Sequence, residues 1–130
     1  MIGALGGFPY SIDEVQAMLM EIADELPDLF FRELNGGIIL LEDCKEHPQG
    51  GNLLIMGDYQ ARRDLGRSIR IYYGSFMRAH GYLPEEQLRE KLKATLLHEF
   101  THHLESLAGE RGLELRDLKE LEEFRRRNEQ

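Results

Sequence analysis

The chain has 130 residues, 42% hydrophobic and 31% charged, which is the balance of a soluble globular protein and a length that suits one domain spanning residues 1–130. Its formal net charge of −8 argues against nucleic acid and against an anionic membrane as general partners, because both repel an acidic surface. Cys44 is the only cysteine, so no intrachain disulfide forms. With no signal-like start and no apolar run of membrane-spanning length, the expected location is the cytoplasm.

In chain order, Met1–Tyr10 is Gly-rich, and Ser11-Ile12-Asp13-Glu14 reads as a capping box. Ile12, Val15, Met18, Leu19, Ile22 and Leu26 then recur at helical spacing, and Pro27 ends the helix. Asp28–Leu34 reads as a second short helix before the Asn35-Gly36-Gly37 turn. Ile38–Leu41 and Leu53–Met56 are short apolar runs, read as strands on either side of a polar loop through Gly50-Gly51-Asn52. Asp58–Gly66 reads as a polar connection, and Ser68–Tyr73, rich in β-branched and aromatic residues, as a third strand ended by Gly74. Arg62, Arg63, Arg67 and Arg70 lie close together here and read as a solvated loop and strand edge rather than a binding patch. A loop with His80-Gly81 leads to Leu83-Pro84-Glu85-Glu86, a helix start, and that helix should reach about Leu107 with Gly109 as its stop. A last amphipathic helix carries Leu115, Leu118, Leu121 and Phe124 before a polar tail. The expected class is α+β: an N-terminal helix, a small sheet of about three strands, a long helix and a closing helix.

The long helix contains the most specific chemistry in the chain. His98-Glu99-Phe100-Thr101-His102 is an H-E-x-x-H motif. Two histidines four apart project from one helix face, so both imidazoles can reach one Zn²⁺, while the intervening Glu is placed as general base on a zinc-activated water. Counting 100° per residue from His98, His102 falls at about 40° and Glu105 at about −20°, one narrow polar stripe. Leu96, Phe100, Leu104 and Leu107 fall between about 160° and 240°, the core-packing face.

A catalytic zinc site usually takes three protein ligands and leaves a position open. Glu105, three residues past His102, is favoured as the third because that spacing stacks side chains on a helix; Glu110, after Gly109, is the alternative. His103 falls at about 140°, off the stripe, and reads as a partly buried histidine or a supporting group. The oxyanion of a hydrolysed carbonyl needs a second electrophile, and the donors within sight are Tyr72, Tyr73, His80 and Tyr82. If the strand Ser68–Tyr73 is an edge near the motif helix, it could hold an extended peptide by strand addition.

The run His98-Glu99-Phe100-Thr101-His102-His103 resembles the H-E-x-x-H-H signature of the small bacterial zincin-like metallopeptidase family. Glu25-Leu26-Pro27, Asn35–Leu41, Ile71-Tyr72-Tyr73-Gly74 and Leu104–Glu110 also look like family segments. The resemblance implies a minimal zincin-like α+β fold with His98 and His102 as ligands and Glu99 as catalytic base. One branch of the family has a Gly three residues after the second His and then an Asp ligand; here Glu105 and Ala108 stand at those positions, so that ligand does not carry over. The expected activity is therefore a zinc metallopeptidase with one Zn²⁺ ion, acting on peptides or unfolded protein segments. The alternatives are a non-catalytic, zinc-stabilised binding module and a metallohydrolase of a non-peptide substrate.

Overall fold

Ser11 opens α1 (Ile12–Asp24) as the capping box requires: its Oγ accepts the Glu14 N–H at 3.1 Å, and the Glu14 carboxylate accepts the Ser11 N–H at 2.8 Å. The structure, a computed structural model, describes residues 8–51, 53–64, 66–111 and 115–128; the side chains of 110, 111, 115–118, 121 and 128 lie outside what it describes. Residues 1–7 and Asn52, named above in the Gly-rich start and the polar loop, also fall outside it.

α1 buries Val15, Met18, Leu19 and Ile22 and ends ahead of Pro27. The next turn, Asp28–Phe31, is a 3-10 helix that inserts Phe30 fully into the core. Among the described residues the strands are β1 (Gly37–Leu41), β2 (Lys45–Glu46), β3 (Leu54–Ile55), β4 (Gly57–Arg62) and β5 (Gly66–Tyr72), of which three make the expected small sheet. They form a three-stranded sheet in the order β1-β5-β4 and a separate β2–β3 hairpin. β1 runs parallel to β5 and β4 antiparallel to it.

Three sequence expectations are corrected by this topology. Asp58–Gly66 is not a connection: its first part belongs to β4, paired with β5 from Gly57↔Ile71 to Arg62↔Gly66. Leu53–Met56 contributes only a two-residue strand, and outside the main sheet. β5 lies in the middle of its sheet, so Ser68–Tyr73 offers no edge to a peptide; β4 does.

α2 (Tyr73–His80) is also new, standing where a loop was expected. No side chain caps it; instead the Gly74 and Ser75 N–H groups donate to the Glu42 and Asp43 carbonyls. A Cβ at Gly74 would lie 2.8 Å from the Glu42 carbonyl oxygen, so this approach needs glycine.

α3 (Glu85–Arg111) is the organising element. Leu88, Leu92, Leu96, Phe100, Leu104 and Leu107 are fully buried along one side of it, against Ile69 and Ile71 of β5 and the apolar face of α1. Burial of each such side chain contributes about 1.5–3 kcal/mol relative to exposure. The helix runs through Gly109 to Arg111 rather than stopping there. α4 (Leu115–Asn128) returns toward α3, and Phe124 packs edge-on against Phe30. Among the described residues no helix is long and apolar enough to cross a membrane.

Candidate metal centre

With one side of α3 committed to the core, His98 and His102 are left on its exposed side. Their rings meet edge to face, centroids 4.8 Å apart, and their Nε2 atoms converge to 3.3 Å. Two Zn–N bonds of about 2.05 Å at a tetrahedral angle demand an N···N distance of about 3.3 Å, so this pair already has the bite of a zinc chelate. Burial, aided by the neighbouring His102 and Arg125 and opposed by Glu105, holds His98 below the ordinary histidine pKa. That favours the neutral imidazole a metal needs.

Glu99 turns inward from the same turn and is only 5% exposed. Burial, reinforced by the negative charge of Asp58, pushes its pKa up from 4.5 to about 7. Two adjoining depressions, of about 370 and 430 Å³, share Gly57, His98 and Glu99 and together form a groove between α3 and β4. Ile55, Met56, Ala94 and Thr95 line its first part, and Asp58, Tyr59 and His102 its second.

The remaining expected residues are distributed differently. Glu105 Oε1 lies 4.0 Å from His102 Nδ1, on the opposite side of the ring from the converging Nε2 atoms. The Glu110 side chain lies outside the described part. Among the described residues, no group of three His, Cys, Asp or Glu is placed to hold a metal. The described donor set thus fits two coordination positions of one zinc, and no described side chain stands in a third.

None of the four oxyanion candidates lines the groove. The Tyr72 hydroxyl donates to Asp58 at 2.8 Å, and the Tyr73 hydroxyl donates to the Tyr10 carbonyl. His80 packs against Phe76, and Tyr82 is 79% exposed.

The structure adds residues that the polar-connection reading hid. Gly57 lets β4 lie close against β5: a Cβ there would stand 2.9 Å from the Arg70 carbonyl oxygen and 3.0 Å from Ile71 Cδ1, whereas Thr95 of α3, at 3.5 Å, would be in ordinary contact. Asp58 accepts a two-pronged hydrogen bond from Arg70 (2.7 and 2.8 Å), with Tyr72 at 2.8 Å and Lys45 at 3.4 Å. Burial alone would raise its pKa, but these donors outweigh it and hold the carboxylate ionised.

Tyr59 reaches His103, which is fully buried. His103 Nε2 lies 2.7 Å from the Arg32 carbonyl, which can only accept, so the proton sits on Nε2. Nδ1 is then the acceptor for the Tyr59 hydroxyl at 2.9 Å. His103 is accordingly a buried supporting histidine that ties α3 to β4 and to the turn before β1. The alternation of Asp58, Tyr59, Gln60 and Ala61 was the one sequence signal for this strand, too weak beside its polar content.

No family model matches the chain, and no curated protein matches it. Among solved structures, a conserved hypothetical protein from Thermus thermophilus is 30% identical, with a TM-score of 0.67; the match covers 76% of this chain and 98% of that one. At that identity, over almost the whole of its relative, this chain belongs to the same family as that conserved hypothetical protein.

Proposed function

We propose that the protein is a zinc-dependent peptidase of zincin-like fold that cleaves peptides or unfolded protein segments in the cytoplasm. His98 and His102 are its metal ligands and Glu99 its general base. One observation carries the reading: two imidazole Nε2 atoms at the separation a tetrahedral zinc requires, in one groove with a buried carboxylate.

Bound there, zinc would supply Lewis acidity toward water and toward the carbonyl to be cleaved. Glu99, with a pKa near neutrality, suits both halves of the proton transfer. It takes a proton from the attacking water as the C–O bond forms, and delivers it to the amine nitrogen as the C–N bond breaks. β4, an edge strand beside the groove, offers backbone groups to which an extended peptide can pair, and so aligns the bond with Glu99. Glu105 is the favoured third ligand and Glu110 the alternative. From its present position Glu105 reaches the metal only by swinging past the His102 ring; where it stands, its carboxylate lies 4.0 Å from Nδ1, close enough to support that ring once it moves within hydrogen-bond reach.

A zinc-stabilised binding module is the second reading, favoured by the groove lining, which includes none of Tyr72, Tyr73, His80 and Tyr82 as oxyanion donors. Elemental mass spectrometry and a cleavage assay on a denatured protein separate the two. The peptidase carries about one Zn per chain, and Glu99→Gln keeps the metal while abolishing cleavage. A wild-type protein that holds zinc and cleaves nothing is a binding module; one that takes up no zinc refutes both.

A further inference from the structure

Arg62, Arg63 and Arg67 do not simply project into solvent. They line a depression of about 630 Å³ at the end of the sheet where β4 turns into β5, with Glu33, Asn35 and Gly66 completing its wall. Arg62 is braced by Asp64, which accepts from Nε and Nη2 at 3.2 Å each. Arg63 is exposed and makes no ion pair with any described residue. Arg67 is buried, at 8% exposure. The exposed guanidinium of Arg63 therefore stands beside the Asp64-braced Arg62, a local basic pair on a chain of net charge −8. A guanidinium fork matches the planar geometry of a carboxylate.

β4 connects this depression to the metal-centre groove: Asp58 lines the groove and Arg62 the arginine depression. Four residues of extended strand span about 14 Å, and side chains four apart share a face. A peptide laid along the free edge of β4 keeps the same rise. The residue four along from the one facing Asp58 then faces Arg62. Antiparallel pairing, the more stable of the two senses, brings the amino-terminal part of the peptide to the arginine end.

We infer that the protein selects acidic peptides, docking an Asp or Glu of the bound segment on Arg62 and Arg63, four or five residues to the amino side of the bond held at Glu99. This rests on the peptidase reading for the position of that bond; docking of the acidic segment does not need turnover.

Fluorescence anisotropy with the full-length chain tests it. The probes are labelled peptides of about twelve residues, long enough to cover both sites, with Ala, Ser, Thr and Val randomised around a Glu-Glu pair near the amino end. Controls carry Gln-Gln at the same place, or Glu-Glu near the carboxyl end. The amino-end acidic peptide should bind about fivefold tighter than its Gln counterpart at low salt, as for roughly one exposed ion pair, and the preference should shrink as salt rises. The preference should fall to none in Arg62→Glu/Arg63→Glu and be partly lost in Arg63→Gln; both side chains are exposed, so folding should tolerate the changes. Equal binding of the acidic and Gln peptides, a preference that survives in the double variant, or a preference for the carboxyl-end acid overturns the proposal. An acid preference without cleavage of any peptide leaves the docking site standing and refutes the peptidase reading, whereas cleavage without acid preference does the reverse.

Discussion

The Tyr59 hydroxyl donates to Nδ1 of the fully buried His103 at 2.9 Å, joining the edge strand β4 to the helix that carries His98 and His102. With Nε2 committed to the Arg32 carbonyl, His103 has one tautomer and one acceptor, and Tyr59 satisfies it. Tyr59→Phe should therefore leave a buried nitrogen without a partner and cost about 1–3 kcal/mol of stability. Urea denaturation reads this as a lower midpoint at unchanged slope; an unchanged midpoint would show that the hydrogen bond is replaced by water.

Zinc affinity should divide the polar stripe of α3. His98→Ala and His102→Ala each remove one arm of the Nε2 pair and should abolish stoichiometric metal by elemental mass spectrometry. Glu105→Ala is more informative. If the carboxylate only orients His102 from the Nδ1 side, affinity falls about 10- to 100-fold, the usual effect of losing a supporting partner. A loss as complete as that of a histidine variant identifies Glu105 as a ligand, and such a loss in Glu110→Ala instead moves that role there.

Glu99 gives the metal-free protein a pH signature. Its carboxyl pKa is raised in the folded state, from 4.5 to about 7, so the folded chain holds a proton that the unfolded chain releases. The stability this provides is complete below about pH 4.5 and is lost as pH rises through about 7. The cost at pH 8 is about 3 kcal/mol. Chelator-treated wild type should become less stable between pH 5 and 8, whereas Glu99→Gln should follow a flatter course and exceed wild type above about pH 7. Parallel curves for the two proteins would refute the assignment of that cost to Glu99.

Gly57→Ala probes the contact between β4 and β5. The added methyl meets the Arg70 carbonyl at 2.9 Å and Ile71 Cδ1 at 3.0 Å, and the backbone oxygen cannot move aside cheaply. Destabilisation of about 1–3 kcal/mol is expected, the usual cost of overfilling a packed site. Because Gly57 lines both halves of the groove, zinc binding should survive in the folded variant while peptide binding weakens. A variant with wild-type thermal stability would mean that β4 can shift against β5 without cost.

Much of the scaffold was legible from the chain because its signals are local. The Ser11–Glu14 capping box, Pro27 as helix breaker, the apolar period of Leu96, Phe100, Leu104 and Leu107, and the acidic start of α3 after Pro84 each act within one or two turns. All appear where the residues indicate. The stripe holding His98 and His102 followed from the same periodicity, since burying one helix face leaves the other to solvent.

What required the tertiary structure depends on partners far away in sequence. α2 has no side-chain cap and draws its first-turn acceptors from Glu42 and Asp43. β4 has too few apolar residues to announce itself; it forms because β5 pairs with it, at an approach that Gly57 permits. The convergence of the two Nε2 atoms depends on rotamers, and the near-neutral pKa of Glu99 on burial and on the Asp58 charge across the groove. Helical geometry alone puts His98 and His102 on one exposed stripe, while the strand, the groove and the electrostatics around that pair arise only when distant segments pack together.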